Sequence, residues 1–491
     1  MSVFAGIVLF TSIMFWLIPK GFLPTEDKGA VFTQIQLPDG SSASRTNIVA
    51  NEVEDRILKI PGVENTITLV GFSGENTALI VAELSNWSKR KSKDLSMQSI
   101  LGKIKAEFAN YPSATIASFS PPSISGLGMF GGFEYQLLDK GDRTPQELYD
   151  EAQKLIEAGN KNSAFQMVYT SFTANLPQLL IKVDENKALA QGVNISEIYS
   201  ALSGYFGKSY VNDFNKYGRV YRVYLQADSE FREKPGDIDK IYVKNNSGTM
   251  VPLSAVVNVS NIVGPYSLTR FNMYPAITIN GQARNGVSSG QAMTAMEQIS
   301  DEVLPKDMGY AWSGSSLQEK ESSGQIGPIL AMSLVFIYLF LVGLYESWML
   351  PIAVLLISPV ALVGALFFQY VSGYSLDLYS QIGLVMLIGL STKQAILIIE
   401  FAKDAHQNGM SIKDAAMQAA KLRFRAVMMT NIAFILGLLP LVFAKGAGAA
   451  SRNSVGMTVF GGMMAVAFIG TFLVPAFFTL VENLKVYTAH K

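Results

Sequence analysis

Lys393 is the residue whose type and position together demand chemistry. It stands inside an apolar stretch, Leu378–Phe401, that is long enough to cross a bilayer, and no carboxylate lies at comparable depth elsewhere in the chain. A hydrocarbon core about 30 Å thick needs about 20 helical residues, so a lysine two turns inside Phe401 lies roughly 12 Å deep, too deep for easy snorkelling. An intramembrane ammonium costs at least about 2.5–3.5 kcal/mol, and such residues mark ion or proton paths with a partner close by. Two readings follow. One is a charged lysine whose carboxylate partner is missing from the sequence; the other is a lysine neutralised by burial or bonded to the carbonyls of a broken helix.

The elements that must position this lysine are membrane spans. With 491 residues and 49% hydrophobic content, the chain is too long for one domain and too apolar for a simple soluble protein. Apolar windows fall at Val3–Ile18, Ile326–Leu344, Met349–Tyr370, Leu378–Phe401, Val427–Ala444 and Val455–Val481, which predicts six spans. The first lacks the basic flank and small-residue cleavage site of a signal peptide and reads as an uncleaved helix with Lys20 at its interface. Lys403, Lys413, Lys421, Arg423 and Arg425 cluster between the fourth and fifth spans. The positive-inside rule puts that loop in the cytoplasm and the long region after the first span outside. Lys445 and Arg452 in the opposite loop weaken this bias without reversing it.

Composition excludes several chemistries. The absence of cysteine removes disulfides and thiolate metal sites, and two histidines, His406 and His490, are too few and too far apart for an imidazole site. Lys plus Arg equals Asp plus Glu at 39 each, so net charge offers no argument for nucleic acid. No metal and no cofactor is expected.

The long polar region alternates strands and helices. A strand at Val31–Leu37, a helix from Ser41 or Ser42 to Ile60, strands at Thr66–Phe72 and Ala78–Leu84, a helix at Met97–Ala109 and a strand at Ala114–Phe119 give the split βαβ order of a ferredoxin-like unit. The pattern restarts with a strand at Phe133–Leu138, a helix at Pro145–Ala158, and strands at Gln166–Ala174 and Leu179–Val183. Pro275–Gly281 and Gln291–Val303 complete it after an insertion at about Asp184–Val263 that carries its own strand, Arg219–Leu225. No enzyme constellation emerges. The Gly207-Lys-Ser tripeptide has Leu202 where a phosphate-binding loop needs glycine. The glycine-rich run Gly126–Gly132 precedes a strand and reads as a hinge or loop.

The fourth span reads GLSTKQAILIIEFAKD (Gly389–Asp404) and is followed by KLRFRAVMMTN (Lys421–Asn431). With FLPTEDKG (Phe22–Gly29), GKSYVNDF (Gly207–Phe214), GRVYRVYLQ (Gly218–Gln226), LYESW (Leu344–Trp348) and ILGLLPL (Ile435–Leu441), the chain resembles the C-terminal half of a resistance-nodulation-division (RND) efflux transporter of the hydrophobe/amphiphile type. The resemblance runs over essentially the whole chain. It implies a multi-pass α-helical membrane protein with an extracytoplasmic α+β region of ferredoxin-like porter subdomains. The implied segments are a first transmembrane helix (1–22), a first porter subdomain (23–130), a second one in two parts (131–183 and 264–325), an inserted docking subdomain (184–263), and five transmembrane helices (326–491) with a cytoplasmic amphipathic segment near 404–426.

The same resemblance implies proton-driven export of amphiphilic small molecules rather than enzymatic catalysis. Lys393 matches the lysine that faces two aspartates of the N-terminal half, Thr430 the relay threonine of the next helix, and Arg423 an arginine at the cytoplasmic approach. On residue chemistry alone, Thr430 is equally a hydroxyl bonded back to its own helix, and Arg423 a solvated charge. The segment Val70–Thr77 occupies the place of a substrate-switch loop, with Phe72 as its one aromatic; Val81 stands where an aromatic is common on the next strand. Phe119 matches a pocket-entrance aromatic and is also compatible with ordinary core. The implied partners are an N-terminal half with intramembrane acids, two further copies in a homotrimer, a periplasmic adaptor and an outer-membrane channel, in the bacterial inner membrane. The rival reading is a half-length accessory subunit for protein or lipid translocation.

Overall fold

The computed structural model describes residues 2–128, 131–284 and 286–489. His490 and, in the glycine-rich run, Met129 and Phe130 lie outside the described residues. The chain opens with an apolar helix α1 (Ser2–Leu17). Strand β1 (Ala30–Gln36), helix α2 (Ala43–Leu58), strands β2 (Val63–Val70) and β3 (Thr77–Leu84), helix α3 (Met97–Phe108) and strand β4 (Thr115–Phe119) follow. They build an antiparallel sheet of order β2-β3-β1-β4. The local sequence explains the helix starts: Ser42 and Ser96 accept backbone N–H groups of the first turns of α2 and α3, which otherwise lack partners. Period-2 alternation sends Val31, Ile35, Ile80 and Ala82 against Val53, Ile57, Ile100 and Ile104 of the two helices.

The second sheet joins distant pieces of chain. β5 (Phe133–Asp139), α4 (Pro145–Lys161) and β6 (Phe165–Tyr169) come first. Thr144 and Glu147 form a reciprocal cap at the start of α4. The chain then enters a separate compact unit, Thr173–Ser267. It contains β7 (Leu176–Val183), α5 (Glu185–Ala190), α6 (Ile195–Phe206), β8 (Ser209–Lys216), β9 (Arg219–Leu225), β10 (Tyr242–Lys244), β11 (Met250–Pro252) and β12 (Val257–Gly264). The unit has its own core of Ala188, Ile198, Ile238, Leu253 and Val256. Among the described residues its β8–β9 hairpin pairs with no other strand.

On returning, β13 (Thr269–Phe271), β14 (Tyr274–Ala283), α7 (Ser289–Val303) and β15 (Met308–Ser313) complete the five-stranded sheet β13-β14-β5-β15, with β6 also on β14. Two details depart from the sequence reading. The strand expected at Leu179–Val183 as part of the second porter module pairs with β12 in the inserted unit instead. β5 is flanked by β15, an element that the sequence reading does not contain. Gly281 lies under the Phe133 ring, where any Cβ would collide.

After α8 (Gly314–Ser322), the helices are α9 (Ile326–Tyr345), α10 (Leu350–Leu355), α11 (Ser358–Ser372), α12 (Leu378–Gln407), α13 (Ile412–Val442), α14 (Ala449–Ala465) and α15 (Thr471–Ala489), the last two joined by a π turn. Five helical stretches among the described residues are long and apolar enough to cross a membrane: Ile326–Tyr345, Leu350–Ser372, Leu378–Gln407, Ile412–Val442 and Ala449–Lys485. α1 is apolar and shorter, at 16 residues. The amphipathic stretch expected near 404–426 is no separate element. α12 continues to Gln407, and the basic residues from Lys413 onward belong to the first turns of the unbroken α13, capped by Ser411. Glycines let the helices close up: Gly364 of α11 meets Gly461 of α14, and Gly462 receives Leu387 of α12.

Candidate functional site

Lys393 sits midway along the 30-residue α12, roughly 22 Å from either end at 1.5 Å per residue. Its side chain is exposed and has no hydrogen bond or ion pair among the described residues. The next residue, Gln394, is buried and pairs with buried Asn431 of α13. Asn431 Nδ2 donates to Gln394 Oε1 at 3.0 Å, and Gln394 Nε2 donates to Asn431 Oδ1. The residue before Asn431 is Thr430.

This arrangement fixes where Lys393 and Thr430 point. α12 and α13 are joined by a four-residue connection, 408–411, and run antiparallel. Stepping back one residue from the seam rotates each side chain by about 100° about its own axis, in opposite senses when both are viewed from one end. Lys393 and Thr430 therefore emerge on the same face of the helix pair, and both are exposed. Two turns nearer the basic end, Glu400 and Arg423 occupy that face by the same count of seven residues. The Arg423 guanidinium lies 3.4 Å above the Phe401 ring centroid, and its Nε is buried without a hydrogen-bond partner. Thr430 Oγ1 donates to carbonyls of its own helix, at 3.1 Å to Ala426 and 2.9 Å to Val427. While donating there, the hydroxyl oxygen can still accept from a lysine ammonium.

The other buried polar cluster of α12 has a different character. Asp377, 1% exposed, caps the helix. Its carboxylate accepts the Ser380 N–H at 2.7 Å, the Ser380 hydroxyl at 2.8 Å and the Ser454 hydroxyl at 2.7 Å. The amide of Gln369 donates into the same cluster, to Ser380 Oγ at 3.1 Å. Asp377 lies 16 residues from Lys393, about 24 Å along the helix, so it is no partner for it.

In the first sheet, register joins two of the three substrate candidates. Val81 pairs with Phe32, and Phe32 with Phe119, so the three form one row on the face opposite α2 and α3. Ile67 extends the row on β2. Phe119 itself is buried and stacks on Tyr169 of the second sheet at 5.2 Å. Phe72 is not in this row; it is 38% exposed in the turn after β2. Sequence reasoning missed Phe32, whose role depends on register, and the pair Gln394–Asn431. For the pair, the available signal was a polar residue beside each relay candidate within an apolar span.

Between the two sheets and the helices lies a cavity of about 370 Å³, lined by Phe22, Pro24, Leu101, Lys105, Pro121, Ile124, Arg284, Val287 and Glu319 among others. It does not include Phe72, Val81 or Phe119. Burial pushes the Glu319 carboxyl up to about 7, while the Ser289 hydroxyl, donating at 2.8 Å, pulls it back toward the ordinary range. Burial lowers Lys105 to about 8, and its ammonium donates to Gln282 at 2.7 Å. No group of three or more His, Cys, Asp or Glu side chains is disposed to hold a metal among the described residues.

The model of the AcrB/AcrD/AcrF family matches residues 1–482. The chain is 38% identical over 480 residues to the multidrug/solvent efflux pump membrane transporter MepB of Pseudomonas putida, covering 96% of this chain and 46% of that protein. It is 37% identical over 489 residues to the multidrug export protein AcrF of Escherichia coli, covering 98% and 47%. With the multidrug resistance protein MdtF of Escherichia coli it shares 39% over 481 residues, covering 96% and 46%. The chain thus spans about half the length of the curated relatives it matches. A match to this model over residues 1–482, with relatives 37–39% identical across almost the whole chain, establishes that the chain belongs to the AcrB/AcrD/AcrF family of RND efflux transporters.

Proposed function

We propose that this chain works as the C-terminal half of a proton-driven pump that exports amphiphilic or hydrophobic small molecules. The observation that carries the reading is the open face of α12 and α13, on which Lys393 and Thr430 emerge together with no partner for the lysine among the described residues. Acidic side chains on helices of an N-terminal half supply that partner. A lysine bridged to carboxylates stays charged; protonating the carboxylates removes its partners, so helix packing has two arrangements a few kcal/mol apart, as a proton-driven switch requires. Arg423 lies on the cytoplasmic approach to this face. The reading takes α1 as a sixth, short span with Lys20 at its interface, and puts the sheets in the periplasm and the basic α12–α13 connection in the cytoplasm. The βαββαβ order of the first sheet supports ferredoxin-like porter subdomains, with residues 23–130 and 131–325 around the inserted docking unit.

Substrate contact falls to the row Val81, Phe32 and Phe119 and to Phe72, because aromatic faces supply contact area in apolar pockets. The exposed β8–β9 hairpin supports a homotrimer: a lone two-stranded ribbon displaying Tyr210, Phe214, Tyr221 and Tyr224 is marginal in water and is stabilised by seating on a neighbouring copy. A periplasmic adaptor and an outer-membrane channel complete the inner-membrane assembly. The test is to express the chain together with an N-terminal half that bears acidic residues at the bilayer midplane, in cells lacking their own pumps. Drug tolerance is expected from the combination and is lost with Lys393→Ala. Tolerance that survives Lys393→Met would reduce Lys393 to a lysine that the fold merely accommodates.

A further inference from the structure

The hydrogen bonds of Gln394 and Asn431 are the only side-chain hydrogen bonds that join α12 to α13 among the described residues. Every neighbouring hydroxyl is bonded within its own helix: Ser391 to Ile388, Thr392 to Gly389, and Thr430 to Ala426 and Val427. The rest of the contact is apolar, with Ala395, Ile398, Val427 and Leu438 in the core, apart from the Arg423 guanidinium of α13 over the Phe401 ring of α12. Apolar packing opposes sliding and rotation through shape alone, because lipid tails are as apolar as the seam and add no hydrophobic force. A reciprocal amide pair permits neither. Each amide is donor and acceptor to the other, so a shift of one residue along either helix, about 1.5 Å of rise with 100° of rotation, leaves two polar groups unpaired in a buried site.

We infer that the Gln394–Asn431 pair is a positioning device. It holds α12 and α13 in one register, so that Lys393 and Thr430 stay on a common face at a common height while their partners change. Gln394 and Asn431 touch no substrate in this account; they act through the residues immediately before them. The consequence for transport rests on the relay reading above, whereas the register itself does not.

The test uses the full chain in lipid, with spin labels on Gly389→Cys and Ala433→Cys, since the chain is otherwise free of cysteine. Both positions are exposed and lie one turn from Lys393 and Thr430. The parent pair gives one narrow distance. Gln394→Leu with Asn431→Leu, which keeps the seam packed but removes both amides, broadens or splits it. The exchange Gln394→Asn with Asn431→Gln, which keeps two amides in contact, restores a single narrow distance. An unchanged narrow distance in the double leucine variant overturns the inference, as does failure of the exchange to restore order. In the co-expressed pump, the double leucine variant is expected to lose roughly tenfold in maximal export rate, a coupling loss of ordinary size for residues that act at one remove. Its half-saturating substrate concentration should stay unchanged, and the exchange variant should recover the rate. If the parent pump exports nothing, the relay reading fails, and the distance measurement still decides the register.

Discussion

The two polar sites of α12 lie on one helix and are satisfied in opposite ways. At its N-terminal end, Asp377 is buried and receives hydrogen bonds from Ser380 and from Ser454 of another helix. At its middle, Lys393 is exposed and bonded to nothing among the described residues. A buried, fully bonded carboxylate orders the helices around it; a charge left open at bilayer depth is tolerated only if something else meets it. The first site is finished within this chain, and under the proposed function the second is finished from outside it.

The sharpest way to break this contrast is substitution at each end. Lys393→Ala should abolish export by the assembled pump while leaving the amount and melting temperature of the folded chain nearly unchanged, read by drug tolerance and by thermal unfolding in detergent. Asp377→Ala should do the reverse in kind. It removes a helix cap and leaves two buried hydroxyls without their acceptor, costing roughly 2–4 kcal/mol, so the folded yield and melting temperature fall first. Equal loss of stability at both positions would erase the distinction.

A third polar site sharpens the comparison because it is neither closed nor open. Glu319 lines the cavity half-buried, with its carboxyl raised to about 7 by desolvation. A carboxyl raised in the folded state binds its proton more tightly there. Its stabilising contribution is whole below the ordinary value of 4.5 and is lost as pH rises through about 7. Glu319→Gln should therefore flatten the decline of melting temperature between about pH 5 and pH 8. A parallel decline in both proteins would show that other groups carry it.

The smallest expected effect belongs to the first sheet, where one face packs on α2 and α3 and the other carries the row of Val81, Phe32 and Phe119. Phe72→Ala, at the exposed turn beside that face, should weaken export of large apolar substrates more than of small ones, measured across a panel of differing size. A uniform loss matched by reduced protein would make Phe72 part of the folded core.

Much of this was legible in the sequence for physical reasons. Lys393 stood out because a single charge in an apolar run has few explanations, and the helix start at Ser41 or Ser42 followed from the capping oxygens of those serines. What stayed hidden depends on pairing across distance. Gln394 and Asn431 are 37 residues apart, and nothing local says that they meet. Phe32 joins Val81 and Phe119 only once the strand register is known. Periodicity alone could not assign β7 to the inserted unit, and β15 (Met308–Ser313) contains no β-branched residue to mark it as a strand.

The central claim is that proton coupling needs an acid from outside this chain to meet Lys393. Its most direct test is substrate efflux driven by an imposed pH gradient in proteoliposomes, comparing this chain alone with the chain plus an N-terminal half that carries midplane acidic residues. The account predicts gradient-dependent efflux from the combination and none from the chain alone. Efflux driven by the gradient in vesicles that hold this chain alone would contradict it.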